Sequence, residues 1–482
     1  MLALQISAAV LGAFIAVSLV VIVIRAILFV PPKKESEKVA PIIVNTEKAM
    51  SDLSEMIKCK TISHIDKSLE DEAEFARFEA LLPTLFPAVY KKCSFEKVSD
   101  RSLLFKWEGK RHDAPTVLMS HYDVVSVNEE LWDKEPFSGV MENGVLWGRG
   151  TLDTKGTLNG ILQAAELLIS DGFVPENDIY FAFGGDEEIN GHGAADIVKL
   201  FEERGITPGM VLDEGGAVVS NVVPGVKIPA ALIGIAEKGM ANIEYSVHGG
   251  GGHASAPAKV TPIGRLSRAC VRMETHPLKY NMTSPARQFF ETVCRHSTFP
   301  YRLIFANLWC FGPVLNLVAK LMGGEMNAMV RTTTAFTQMR GSEGANVIPP
   351  SAYMVSNHRI ADGESVDSLY KRIVKTVNDP RVEIRIMESA EPSRVSTTDC
   401  EGWDRLSAAV SEVWQDAVVS PYYMLACSDS KHWGAISDKV YRFSAMALSK
   451  EERGTIHGNN ERVPVSTITK TVEFYVRLMR KS

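Results

Sequence analysis

The sequence predicts an α/β fold: a mostly parallel sheet flanked by helices, carrying an inserted βαββαβ unit of ferredoxin-like order. Three observations lead there. Up to about residue 236, short apolar runs alternate with stretches of helical 3.6-residue spacing. Between about 237 and 389 the pattern becomes that of half-buried strands separated by helices. From 390 to 482 the first kind of pattern returns.

Taken in order, residues 1–30 form the one compositional outlier. Ser7 to Ile24 carries no charge and is apolar enough to span a hydrocarbon core, and Arg25, Lys33 and Lys34 follow it. No basic stretch precedes the run and no small-x-small site follows it, so a single-pass anchor is expected over a cleaved signal, with secretion as the alternative. The basic residues on the C-terminal side favour a cytosolic body. The sequon Asn281-Met282-Thr283 favours a lumenal or extracellular one, the placement adopted here.

The first part of the larger domain then covers 31–236. Ile42 to Ile57 has the spacing of an amphipathic helix. Thr116–Ser120, Ile179–Phe183 and Gly209–Leu212 read as buried strands, and Thr157–Leu168 and Ala194–Glu203 as the helices between them. In the inserted unit, 237–389, strands are expected at Asn242–Val247, Thr332–Arg340, Ala352–Ile360 and Val382–Met387. Helices are expected at Pro262–Glu274 and Ser365–Val377, and Tyr280–Gly324 is a long irregular or helical insertion. The rest of the larger domain covers 390–482.

At 482 residues two domains are the expectation. A net charge of −6 without a basic run excludes nucleic acid as the main partner. Seven cysteines with no CxxC pair give no zinc-finger pattern and no dense disulfide framework, and one or two disulfides remain possible.

Chemistry-bearing residues follow the buried strands. Ser120 leads into His121-Tyr122-Asp123, Phe183 leads through Gly184-Gly185 into Asp186-Glu187-Glu188, and Leu212 leads into Asp213-Glu214. Strand ends of an open α/β sheet line one crevice, so three strands deliver His, Glu and Asp to one edge. The turn Gly148 to Gly156 places Asp153 at the start of the next helix. Taken singly, a His-x-Asp pair is usually a satisfied polar pair, a Glu-Glu a solvated helix start and Asp-Glu-Gly-Gly a turn. Together at strand ends they form a donor set that zinc accepts, and they would repel one another without a cation. Residues two apart on a strand share a face, so Asp123 can hold the back of the His121 ring.

The ordered set Ser120 to Val125, Trp147 to Gly156, Gly185 to Glu188, Asp213 to Gly216 and Ile456-His457-Gly458 resembles the dizinc metallopeptidase family of carboxypeptidase S, the glutamate carboxypeptidases and the aminoacylases. The match runs from about Ser51 to the C-terminus. Pro136 to Gly139, Arg331 to Ala335 and Asn346 to Pro350 place it nearest the branch of carboxypeptidase S and the N-fatty-acyl-amino-acid synthase/hydrolases.

The resemblance implies two Zn2+ per subunit. His121 and Asp213 would complete one site, Glu188 and His457 the other, and Asp153 would bridge them, with a cis peptide between Asp153 and Thr154. It implies Glu187 as general base, Asp123 behind His121, and His253 of Gly250 to Pro257 as the lid residue that polarises the scissile carbonyl, supplied by the neighbouring subunit in dimeric relatives. Arg359 matches the substrate-carboxylate clamp. The loop at Asp429 departs from the family's glycine- and threonine-rich form. The implied function is zinc-dependent, carboxypeptidase-type hydrolysis of peptide amide bonds next to a free carboxylate. The alternatives are an N-fatty-acyl-amino-acid amidohydrolase/synthase and a catalytically inactive binding protein on the same fold. The implied partners are a peptide or N-acyl amino acid, the membrane through the N-terminal segment, and a second subunit.

Overall fold

A computed structural model of the chain describes residues 1–32 and 39–482. Lys33 and Lys34, used in the orientation argument, fall outside the described residues. At the N-terminus, α1 (Leu2–Leu28) has a mean hydropathy of 2.8 within Leu4–Leu28 and is mostly exposed, except near its C-terminal end, where Ala26 is buried against the body. It is long and apolar enough to cross a membrane. The next helix, α2 (Thr46–Ile57), starts four residues later than the apolar spacing suggests, because the Asn45 side chain accepts from Lys48 N and caps it there.

The larger sheet begins with β1 (Ser94–Ser99), β2 (Ser102–Trp107) and β3 (Arg111–His121), followed by α3 (Lys155–Ser170). Next come β4 (Asn177–Gly184), α4 (Gly193–Glu203), β5 (Met210–Val219) and β6 (Ala230–Glu237). Every residue of β4 and β6 is buried, as expected for strands covered on both faces.

A second sheet is built from β7 (Gly239–His248), β8 (Thr333–Arg340), β9 (Ser351–Ile360) and β10 (Glu383–Ala390), in the order β8-β9-β7-β10 and wholly antiparallel. The helices α5 (Pro262–Thr275) and α8 (Val366–Val377) pack on it through Leu266, Ala269, Met273, Leu369, Ile373 and Val377, against Ile243, Tyr245 and Met354. Between α5 and β8 the long insertion is helical: Ser284–Val293, α6 (Phe299–Phe305), α7 (Leu308–Met322) and Gly324–Met329.

The chain then returns to the first sheet with α9 (Glu401–Val413), β11 (Val418–Met424), β12 (Val440–Ala447) and α10 (Val465–Met479). The eight strands are ordered β1-β2-β4-β3-β5-β12-β6-β11. The central pairs β4–β3, β3–β5 and β5–β12 are parallel. One layer of helices includes α3 and α10 in direct contact. A Cβ on Gly160 would come within 2.6 Å of the Thr471 methyl, so only glycine permits that approach.

All seven cysteines are free thiols. Asn281 of the sequon donates from Nδ2 to Asp362 O at 2.9 Å, and Thr283 caps the following helix, so both residues serve the local structure.

Candidate active site

Three strand ends converge on one edge of the large sheet. β3 ends on His121. β4 ends on Gly184, and a single helical turn, Glu187–Ile189, follows it. β5 continues past Asp213 but is irregular there: its partner β12 pairs Arg442 with Asp213 and then Phe443 with Gly216, leaving Glu214 and Gly215 without partners. Such a bulge re-aims the side chains it contains. Asp153 sits at the end of the 148–153 turn, joined to Thr154 by a cis peptide. From Ser120, the hydroxyl lies 2.7 Å from Thr154 Oγ1, and that Oγ1 also accepts from His121 N.

The resulting cluster is tight. Asp153 Oδ1 lies 3.0 Å from His121 Nε2, and Asp153 Oδ2 lies 3.0 Å from His457 Nε2. His457 Nε2 is also 3.0 Å from Glu188 Oε2, and His121 Nε2 is 3.5 Å from Glu214 Oε1. Behind the ring, His121 Nδ1 lies 3.0 Å from the Asp123 carbonyl and 3.3 Å from its carboxylate. That carboxylate also accepts from Ser63 Oγ and from the backbone N–H of Glu187 and Glu188.

The electrostatics describe a site with too much negative charge for its size. Burial pushes Glu187 well above the ordinary carboxylate range, with Glu214 and Asp429 adding to it. Burial and the Asp153 charge push Glu214 up to about 8. Burial also opposes the charge on Asp153, but hydrogen bonds from His121 and His457 outweigh it and hold that carboxylate below its usual range. The same bonds from Asp153 and Glu188 lift His457 to about 10. Two sets of donor atoms, His121/Glu187/Glu214 and His121/Asp153/Glu188, each lie within 4.8 Å of one another, and Glu188 Oε1 is buried with no hydrogen-bond partner. Carboxylate oxygens and imidazole nitrogens gathered this closely fit a divalent cation, which would take the place of the imidazole protons.

The cluster opens into a cleft of about 630 Å3 that reaches the second sheet. Arg359 lines it, with Nη1 3.2 Å from Cys427 Sγ, alongside Asn242, Asn357 and Met424. Two expected residues lie elsewhere. Asp213 is not among the donor atoms grouped around His121: its carboxylate accepts from Ser430 N at 2.9 Å and lines a small enclosed cavity with His121, Glu187, Asp429 and Trp433. Its place near His121 is taken by Glu214. His253 is exposed on the strand pair 252–253/347–348, with Nδ1 2.8 Å from Ser255 Oγ, and does not line the cleft. Glu461, which no motif singled out, is fully enclosed. It accepts from Arg149 Nη1 at 2.6 Å, Leu152 N at 2.7 Å and Gly150 N at 3.1 Å, gripping the turn that carries Asp153.

A sequence profile of Peptidase family M20/M25/M40 matches residues 117–481. The chain belongs to this family. It is 34% identical over 478 residues to a probable carboxypeptidase S-like 2 of Dictyostelium discoideum, covering 96% of this chain and 92% of that one. It is 36% identical over 433 residues to the N-fatty-acyl-amino acid synthase/hydrolase PM20D1 of Xenopus tropicalis, covering 88% and 84%. Among solved structures, an M20 family metallo-carboxypeptidase from Sulfolobus solfataricus shares the fold with a TM-score of 0.67 at 16% identity, over 90% of this chain and 98% of that one. The protein is therefore an M20 hydrolase, of a family that depends on metal.

Proposed function

We propose that the protein is a two-zinc amide hydrolase that cleaves next to a free carboxylate. One observation carries the reading: the two oxygens of Asp153 each face a different imidazole at 3.0 Å, the geometry of a bridging ligand between two ions. His121 with Glu214 would hold one ion, and Glu188 with His457 the other. When bound, the pair supplies Lewis acidity, which acidifies water and polarises an amide carbonyl.

The chain's own residues do the rest. Glu187, on the cleft wall, accepts the proton of the attacking water and passes it to the leaving nitrogen. Asp123 fixes the tautomer and aim of His121. Arg359 holds the substrate carboxylate from the far wall of the cleft. His253, outside its own cleft, donates to the developing oxyanion of a second copy in a homodimer.

Two acyl halves fit this scheme, a peptide or a fatty acyl chain. A groove of about 1390 Å3 adjoins the cleft, with Met322, Trp414 and Leu448 set among charged residues such as Lys450 and Lys470, and its size suits the longer N-fatty-acyl amino acid. The helix α1 anchors the chain by a single pass, with the body lumenal or extracellular. The test is a panel of dipeptides and N-acyl amino acids on zinc-loaded protein, with metal counted by mass spectrometry. Full activity on either class with no bound zinc refutes the reading.

A further inference from the structure

The insertion 299–322 does not serve the catalytic cluster, yet it presents the most apolar exposed surface of the body. The helices α6 and α7 meet at a bend of 102°. Along α7, Gly312, Leu315 and Ala319 are buried, while Cys310, Val314, Leu317, Val318 and Leu321 form an exposed stripe at helical spacing. Leu317 is 57% exposed and Leu321 79%. A stripe this apolar on a free surface calls for an occupant.

Its position against α1 identifies one. Arg25 Nε donates to Ala306 O at 3.0 Å, Asn307 Nδ2 donates to Ile22 O at 3.1 Å, and Arg295 donates to Val30 O at 3.3 Å. At 27 residues, α1 is ~40 Å long, against a hydrocarbon core of ~30 Å, so a centred helix projects ~5 Å at each end. Ile22 lies six residues before Leu28, ~9 Å from that end, and so ~4 Å inside the hydrocarbon boundary. Asn307, bonded to it, starts α7 at that depth.

We propose that α6 and α7 lie in the bilayer surface beside the anchor, with the α7 stripe in the lipid. The groove walled by Met322 at the end of α7 shares Leu448 and Arg453 with the catalytic cleft. Its mouth then opens at lipid level and admits the acyl chain of an N-acyl amino acid dissolved in the membrane, while the carboxylate half reaches Arg359. The inference rests on the membrane-anchor and N-acyl readings above.

Cys310 supplies a native probe, being the one exposed cysteine. Full-length protein in phosphatidylcholine vesicles, spin-labelled there and corrected with a Cys310→Ser control, should collide with oxygen more than with a water-soluble nickel complex. Leu317→Glu/Leu321→Glu should reverse that preference. The same double variant should raise KM roughly tenfold for an N-oleoyl amino acid presented in vesicles, and leave the N-acetyl analogue unchanged. A label that meets the nickel complex freely overturns the docking, as does a double variant that only dissociates a dimer. Equal KM changes for both substrates, or no turnover of N-acyl amino acids, overturn the entry route. Carbonate extraction reports separately on α1: released protein with a lipid-facing label refutes the anchor and supports the docking.

Discussion

Replacing Glu461 with glutamine tests whether the 149–153 turn is held electrostatically. The carboxylate is completely enclosed, and its partner Arg149 is 2% exposed. The substitution keeps the shape but leaves a buried guanidinium uncompensated and aims an amide donor at the N–H groups of Gly150 and Leu152. Breaking a buried pair from one side costs about 3–5 kcal/mol. At about 2 °C per kcal/mol for a large domain, melting falls by roughly 6–10 °C. Because Asp153 ends the turn, zinc binding should weaken as well. Scanning calorimetry with and without zinc, together with metal content after dialysis, measures both effects. Adding Arg149→Met to Glu461→Gln removes the orphaned charge and should recover at least ~1 kcal/mol, although the bond from Arg149 to Gly458 O is lost too. Unchanged melting and zinc content in Glu461→Gln would show that the turn holds itself.

Glu187→Gln should bind two zincs and lose kcat by ~10^3 or more, because the proton acceptor is gone while the donor set remains; near-normal kcat in zinc-replete protein argues against its role. Glu214→Gln should lose zinc from one position, whereas Asp213→Asn should keep both and shift mainly the 428–433 turn; the reverse metal counts would restore Asp213 as the ligand. His253→Ala should lower kcat by roughly 10^2 to 10^3 with zinc unchanged, and mixing it with Glu187→Gln should restore part of the activity; a silent mixture of proven heterodimers excludes action between subunits. Metal-free protein should lose stability as pH rises from about 4 to 8. The folded pKa values of Glu214 and Asp429, both pushed up to about 8, lie above the unfolded ones, so the native state holds extra protons across that window and loses the advantage through its top. Zinc should therefore raise the melting temperature more at pH 7.5 than at pH 5.5, and a larger gain at pH 5.5 would contradict the crowding.

How much of this was legible depended on whether the signal was local. The gathering of His121, Glu188 and the Asp213-Glu214 pair at one sheet edge followed from apolar runs that stop at polar residues, which is the physics of a strand leaving the core, and Asp153 followed from the glycine-rich turn beside them. The βαββαβ order followed from strand alternation and helix spacing in the same way. His457 had no such signal and was reached only through its motif. Asp213 and Glu214 are adjacent, and on a regular strand one must face away, but nothing local says which. The bulge at Glu214–Gly215 decides it, and that bulge is set by pairing with β12, more than two hundred residues later. Glu461 sits in a polar stretch, Asn459-Asn460-Glu461-Arg462, that reads as a solvated loop. Its burial comes from a turn some three hundred residues earlier. The N-terminal edge of α2 lies inside the apolar stretch because Ile42, Ile43 and Val44 precede Asn45, whose side chain stops the helix.

The late arrival of His457 and Glu461 has a consequence for biosynthesis. Asp153 and His457 are 304 residues apart (457 − 153), which at about 5–20 residues per second is roughly 15–60 s of translation. During that interval the emerging polypeptide carries its acidic strand ends without the imidazole and the turn-gripping carboxylate that organise them. The nascent chain is thus a latent hydrolase. Catalytic competence arrives as a single late event, when the last segment closes over the 148–153 turn.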